Sequence, residues 1–354
     1  MNINNILDTI TGVPEKSSCQ EICQSEKSCD YFVYDDVSHR CFLVLDCATL
    51  VDCSSCWSGP DYPSVNSCLP PTLPPSTEQS TAITTSPSQP MAALLLSGQY
   101  TAETESWPCD LAIPSIPQKV YSGAAAVLGS KVFLCGGTIG SGCYVLEGKT
   151  WSTGPNMIKE RSSLSLNSVG DTLIATGGSN SQTVEFYKDE EAHWQLAYWN
   201  LTSDRYNHCA VTLSNTELIL AGGGTPNMAQ VEKYNIETGE VVALPDLIHP
   251  TAGHACTLQG DSLVVSGGYD AAGYTINLVT KLSLTTLTWS NLPSLPVRRY
   301  GHNMALLNGA LVVFGGNMND NTYRQLAILN GTQWETQYLQ KGHGDGAMVI
   351  LPCP

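Results

Sequence analysis

The sequence predicts a mainly β protein, with a small disulfide-rich α+β domain followed by a six-bladed β-propeller. Three observations carry this. A glycine-doublet motif recurs through the last two-thirds of the chain, eight cysteines crowd into residues 19–68, and a Pro/Ser/Thr-rich stretch divides the two regions. The expected boundaries are residues 5–68 for the cysteine-rich domain, 69–91 for the linker and 92–354 for the propeller.

Composition agrees with a turn-rich β chain: of 354 residues, 31 are Gly, 20 are Pro, and 42% are hydrophobic. Sixteen Lys and Arg stand against 32 Asp and Glu, a net charge of −16. A chain so acidic repels phosphate backbones and anionic lipid surfaces, so nucleic acid is excluded as an expected partner. No apolar stretch approaches the ~20 residues that span a bilayer, so membrane insertion is not expected either.

Cys19, Cys23, Cys29, Cys41, Cys47, Cys53, Cys56 and Cys68 are too dense for a segment with a large core. They read as a disulfide framework formed in an oxidising compartment. Zinc is the alternative, because Cys53 and Cys56 have CxxC spacing, but the others supply no second such pair. Met1–Asn5 carries neither a charged n-region nor a long apolar h-region, so the expectation is a secreted chain given without its leader. Cys19 and Cys23 lie four apart, on one face of a short helix that Ser17 or Ser18 would cap. Tyr31–Tyr34 and Cys41–Leu45 read as strands.

Ser18-Cys19-Gln20-Glu21-Ile22-Cys23, Cys29-Asp30-Tyr31-Phe32-Val33-Tyr34, His39-Arg40-Cys41-Phe42-Leu43 and Ser58-Gly59-Pro60 together resemble a PAN/apple domain. The resemblance implies a helix stapled to central strands through Cys19, Cys23, Cys29 and Cys41. It also implies a role in binding protein or carbohydrate, and no catalytic residues. Residues 69–90 then hold six prolines and nine Ser/Thr. Such a composition cannot bury a core and reads as an extended spacer, either bare or O-glycosylated.

In the propeller region an apolar run ends in a glycine doublet five times, at Gly136, Gly177, Gly222, Gly267 and Gly315, a period of 41 to 48 residues. Leu94-Leu95-Leu96-Ser97-Gly98 is a degenerate sixth copy. That period, with four short strands per unit, is the signature of propeller blades. The doublet supplies backbone conformations closed to other residues where strand two turns toward strand three. Trp107, Trp151, Trp194, Trp289 and Trp334 mark fourth strands and fill the wedge between sheets; the fourth blade lacks its tryptophan. The first repeat has so few residues before Trp107 that its third strand is expected to be short or missing. Gly346–Leu351 matches a first strand with no second strand after it. Pairing it with the N-terminal repeat closes the ring and removes an exposed edge, and brings Cys353 toward Cys109. Over residues 92–353 these repeats resemble kelch-type propellers.

The remaining candidates are site residues. His208, His254 and His302 precede strand one in consecutive blades, either as a metal-binding ring or as structural histidines held by the neighbouring blade. The second reading is favoured, because no His-x-His or His-x-x-x-His pair supports a metal. No metal, cofactor or catalytic residue is assigned. His343-Gly344-Asp345, beside Lys341, reads as a surface turn in preference to a catalytic or ligand-binding loop. Cys135 and Cys143 flank a hairpin and can pair across it. Cys209 and Cys256 either bridge adjacent blades or remain buried thiols. Asn200 and Asn330 begin N-glycosylation sequons. Lys159, Arg161, Arg205, Arg298 and Arg299 all precede strand one and form a candidate binding rim, the alternative being that the arginines pack as repeat structure.

The expected function is that of a non-enzymatic, secreted recognition protein. It would bind an extracellular protein or glycan through the apple-like domain and the propeller rim. The alternatives are a self-associating component of a matrix, coat or fibre, and a propeller-based oxidase.

Overall fold

The structure is a computed structural model that describes residues 6–11, 31–35, 40–44 and 89–354, the last apart from residues 180, 225–227 and 318–321. The chain divides into two compact units, Met1–Thr84 and Thr85–Pro354. In the first, Ile6–Thr11, Arg40–Val44 and Tyr31–Asp35 form an antiparallel sheet with Arg40–Val44 in the centre. The two strands expected from sequence are both present. The expected helix, the linker over 69–88 and, apart from the strand backbone at Cys41, the cysteines from Cys19 to Cys68 lie outside the described residues.

The second unit is a six-bladed propeller. Five blades are four-stranded antiparallel meanders, spanning 123–153, 165–200, 209–244, 255–292 and 303–338. They are blades two to six. Blade one is assembled from both ends of the unit: Ala347–Pro352 pairs with Met91–Leu96, which pairs with Thr104–Trp107. Its register sets Ala347 opposite Leu96 and Pro352 opposite Met91, as closure of the ring requires. Met91, expected in the linker, is thus the first residue of a strand. A second correction concerns Trp107. It ends the third strand of blade one, opposite Ala93, and among the described residues it is the fourth strand that blade one lacks.

The second strands Thr172–Thr176 and Ser262–Ser266 are buried at every position, and the other four at all but their first, because each blade is covered on both faces by its neighbours. Apolar clusters sit between neighbouring blades. Phe133 and Tyr187 join blades two and three, and Leu220, Trp199 and Tyr234 join blades three and four. Tryptophan indoles fasten blades together by hydrogen bonds to proline carbonyls in the incoming connection: Trp151 to Pro114, Trp194 to Pro155, Trp289 to Pro245 and Trp334 to Pro293. Burial of the ring while its N–H finds a partner is how tryptophan fills such a wedge without cost.

The doublets have a further task beyond the turn. Both glycines of each take positive φ. A Cβ on Gly177 would stand 2.2 Å from the Arg205 carbonyl of the next blade, and one on Gly315 would stand 2.0 Å from that of His343. The second glycine donates its N–H to that same carbonyl, as in Gly178 to Arg205 (2.8 Å) and Gly316 to His343 (3.0 Å). The doublet is therefore where one blade's backbone docks on the next, a contact only glycine permits.

Disulfides join Cys109 to Cys353, Cys135 to Cys143 and Cys209 to Cys256. The first fastens the seam of blade one and the second staples a hairpin of blade two. The third links the innermost strands of blades four and five, where the sequence left a bridge and two free thiols both open.

Candidate functional site

Six chain segments enter the first strands of the six blades, and all converge on the propeller axis. One residue from each forms a closed circle of backbone hydrogen bonds. Ser122 donates to Asp345, Ser163 to Ser122, Asn207 to Ser163, Gly253 to Asn207, Gly301 to Gly253 and Asp345 to Gly301, all at 2.7–2.9 Å. All six have positive φ, between 50° and 64°. Left-handed backbone turns each N–H toward the next carbonyl around the axis, and glycine, asparagine and aspartate adopt it at least cost. The ring bounds a cavity of about 100 Å³, lined by these six residues and by the residue following each in the chain.

The expected basic rim is not there. Arg161, Arg205 and Arg299 are fully buried. Each lies two residues before the ring and turns inward to brace its own blade. Arg161 binds Glu185 (3.0 Å) and the carbonyls of Gly177 and Thr183. Arg205 binds Glu232 (2.7 Å) and the carbonyls of Gly222 and Gln230. Among the described residues Arg299 has no carboxylate partner. It holds the carbonyls of Gly315 and Gln325 and the Gln325 side-chain oxygen, and burial lowers its guanidinium pKa to about 10. The physical reason is that the carbonyls of Gly177, Gly222 and Gly315 need a donor, and in each case one guanidinium satisfies that carbonyl and the third-strand side of the blade together. Among the five rim residues only Lys159 and Arg298 are exposed.

His208, His254 and His302 are buried, and each is held by the preceding blade through Nε2: Thr176 Oγ1 (2.9 Å), the Ala221 carbonyl (3.0 Å) and Ser266 Oγ (2.9 Å) respectively. Desolvation lowers the pKa of all three, that of His254 to about 4. Because a carbonyl only accepts, His254 carries its proton on Nε2. Among the described residues no three His, Cys, Asp or Glu side chains stand together as metal ligands.

His343 is also a correction. It is buried, not on a surface turn; Nδ1 lies 3.0 Å from the Ser97 carbonyl and Nε2 lies 3.4 Å from Glu105. Glu105 also accepts the backbone N–H groups of Gln340 and Lys341, as Glu185 accepts those of Ile158 and Lys159. His343 therefore stands in blade one where arginine stands in blade three. Those hydrogen bonds hold the Glu105 pKa down against the desolvation that raises it.

Asp345, which the sequence placed in a surface turn in preference to a catalytic or ligand-binding loop, belongs to the ring. It is the one acidic member of the ring. Its carboxylate accepts a hydrogen bond from Asn317 Nδ2 (2.6 Å), whose Oδ1 accepts from the Tyr100 hydroxyl (3.0 Å). Desolvation raises its pKa to about 6. Tyrosines surround it. Tyr269 and Tyr300 meet edge to face at 5.7 Å, and Asn207 Nδ2 donates to the Tyr269 hydroxyl (2.8 Å). Desolvation raises the pKa of both phenols, and the Asp345 charge adds to it. Tyr100 and Tyr121 are exposed at the same mouth. The signal that would have found this site is the register Arg205-Tyr206-Asn207-His208, Arg299-Tyr300-Gly301-His302 and His343-Gly344-Asp345-Gly346, in which Asp345 falls in phase with the ring.

Residues 163–336 match the KLHDC2/KLHL20/DRC7 Kelch-repeats domain, and residues 3–49 match the PAN domain. The chain joins a PAN domain to a kelch propeller. The kelch match begins at a ring residue, Ser163, and covers most of blades three to six. Curated relatives include spermatocyte protein spe-26 of Caenorhabditis elegans, 28% identical over 43% of this chain and 30% of its own length. Kelch domain-containing protein 10 of Xenopus laevis is 27% identical over 34% and 32% respectively, and Adagio protein 3 of Arabidopsis thaliana is 30% identical over 49% and 32%. The chain spans about a third of the length of these relatives. The solved structure of YjhT shares the fold, with a TM-score of 0.60 at 16% identity over 66% of this chain and 88% of that one. The kelch propeller supports a role in protein interaction, and no helix among the described residues is long and apolar enough to cross a membrane.

Proposed function

We propose that this PAN–kelch chain is a secreted, non-enzymatic recognition protein that takes an extracellular protein or glycan at the tyrosine-rimmed mouth of its propeller. The observation that carries the reading is the mouth itself. A closed backbone ring makes a rigid floor, and exposed Tyr100 and Tyr121 stand at its edge. Tyrosine combines a large apolar face with a polar tip at low entropic cost, which suits a recognition surface. The three propeller disulfides support an oxidising compartment, and the exposed sequon residues Asn200 and Asn330 are open to a glycan. A PAN domain beside the propeller would add avidity if both modules bind one target.

The test is a screen of the full chain, made in a secretory host, against a glycan array and an extracellular extract. A ligand lost on Tyr121→Ala or Tyr300→Ala supports the reading, and a ligand indifferent to both refutes the mouth as its site. One observation favours a second reading, a self-associating matrix component. Leu196, Tyr198, Val241 and Val242 are exposed on the outermost strands of adjacent blades three and four. Ordered multimers dispersed by Tyr198→Lys would favour it.

A further inference from the structure

The blades pair their charges in one pattern. Each blade has a brace residue two positions before its ring residue, and a third-strand residue that lies opposite the position two before the doublet. In blades one, three and four the third-strand residue is an acid, Glu105, Glu185 or Glu232, and the brace is basic, His343, Arg161 or Arg205. In blades two and five neither position carries charge: Val120 goes with Tyr144, and Thr251 with Thr280. Blade six breaks the pattern. Its brace is Arg299, and its third-strand residue, opposite Val313, is Ala327.

Arg299 and Ala327 are both fully buried. The guanidinium donates to the Gly315 and Gln325 carbonyls and to the Gln325 side chain, all acceptors without charge. Among the described residues nothing accepts from its Nε. Arg205 Nε has no acceptor either, but Glu232 meets that arginine's charge at Nη2. Desolvation lowers the Arg299 pKa to about 10 with no carboxylate to oppose it, as Glu185 opposes it at Arg161. The side chain therefore stays charged at neutral pH, and a buried charge without a counter-charge is costly. Part of the carboxylate's setting persists. In blade three Glu185 takes the N–H groups of Ile158 and Lys159, just before its arginine. In phase with these in blade six are Pro296, which has no N–H, and Val297, which has one.

We propose that blade six binds a halide ion, chloride in ordinary media, in place of the carboxylate its third strand lacks, held by Arg299 Nε and the Val297 N–H. This counter-ion site is separate from the mouth and does not depend on what the mouth recognises. The charge balance calls for a single negative charge. Two donors suit a monatomic ion. Sulfate or phosphate would bring more acceptor oxygens than two donors satisfy, and a second charge that nothing offsets. An ion bound only by the folded chain stabilises it by mass action.

The experiment follows thermal unfolding of the full oxidised chain as chloride replaces gluconate at constant ionic strength. The melting temperature should rise by about 3–5 °C for each tenfold of chloride above the dissociation constant. Bromide should substitute for chloride, and sulfate should not. Ala327→Glu supplies the missing acid, so it should melt higher in gluconate and lose the chloride response. Arg299→Met removes the charge and should lose the response as well. In crystals soaked in bromide, an anomalous peak is expected beside Arg299 Nε. A melting temperature indifferent to chloride at constant ionic strength overturns the proposal. So does a response that survives in both variants, because the ion then sits elsewhere. If neither variant folds, the bromide peak decides: a peak beside Arg299 upholds the site, and none there overturns it.

Discussion

Arg161 and Glu185 form an ion pair of 3.0 Å in which neither side chain reaches solvent. Glu185 also takes the backbone N–H groups of Ile158 and Lys159, so one carboxylate ties the strand-one connection to the third strand. Removing the acid leaves a buried guanidinium with too few acceptors. Glu185→Ala should destabilise the propeller by roughly 3–5 kcal/mol, measured by denaturant unfolding. Arg161→Met with Glu185→Leu should recover most of that loss. A single-mutant cost below ~1 kcal/mol would show that the pair is not a brace.

Closure of the ring depends on Leu94 opposite Val349 and on Cys109 bonded to Cys353. The bridge joins residues 244 apart in sequence. Cys109→Ala with Cys353→Ala should cost about 2–5 kcal/mol, because the open chain regains the loop entropy the bridge removed. Deletion of residues 347–354 should go further and abolish cooperative unfolding, since blade one then has no innermost strand. A truncated chain that melts like the whole one would contradict closure by this strand.

Acid should weaken the propeller through its histidines. His208, His254 and His302 have folded pKa values depressed by burial, that of His254 to about 4. A depressed value means that the unfolded chain takes up the proton first as pH falls below 6.5. The stability is therefore fully present above 6.5 and is lost progressively between 6.5 and about 4. The melting temperature should drop over that window, and His302→Gln should make the drop shallower.

Asp345 runs the other way. Its folded pKa lies near 6, above the ordinary 3.8. As pH rises from about 4 to 6 the unfolded chain ionises before the folded one, so the fold loses stability and keeps that deficit above pH 6. The shift would be worth up to about 3 kcal/mol in a dry site, and about 1–2 kcal/mol after screening at a partly open mouth. Asp345→Asn should therefore raise the melting temperature at pH 7.5 and leave it unchanged at pH 3.5. A destabilised charge kept at an axis is what a binding site retains at the expense of the fold.

Much of the fold was legible because it repeats. The period of the glycine doublets fixed the blades from Gly136 to Gly316, and the orphan strand at Gly346–Leu351 fixed the closure. The tryptophans marked the outer wedge in blades two, three, five and six. Blade one misled, because a short repeat with one tryptophan reads equally as three strands lacking the third or lacking the fourth. Only the pairing of Ala93 with Trp107 separates those.

The sequence by itself determined the blade count, the closing role of the C-terminal strand and the cysteines near the seam, since these follow from periodicity along one dimension. It also placed arginines and histidines in phase before strand one. Tertiary structure alone decided which way they point. Arg161 and Arg205 turn inward because their carboxylate partners lie on their own third strands, and Arg299 turns inward to the carbonyls of Gly315 and Gln325. The ring of Ser122, Ser163, Asn207, Gly253, Gly301 and Asp345 has no common side chain to betray it in one dimension. It is made of backbone, it exists only once six segments separated by 41 to 48 residues meet on an axis, and it sets the one acid among them at the mouth.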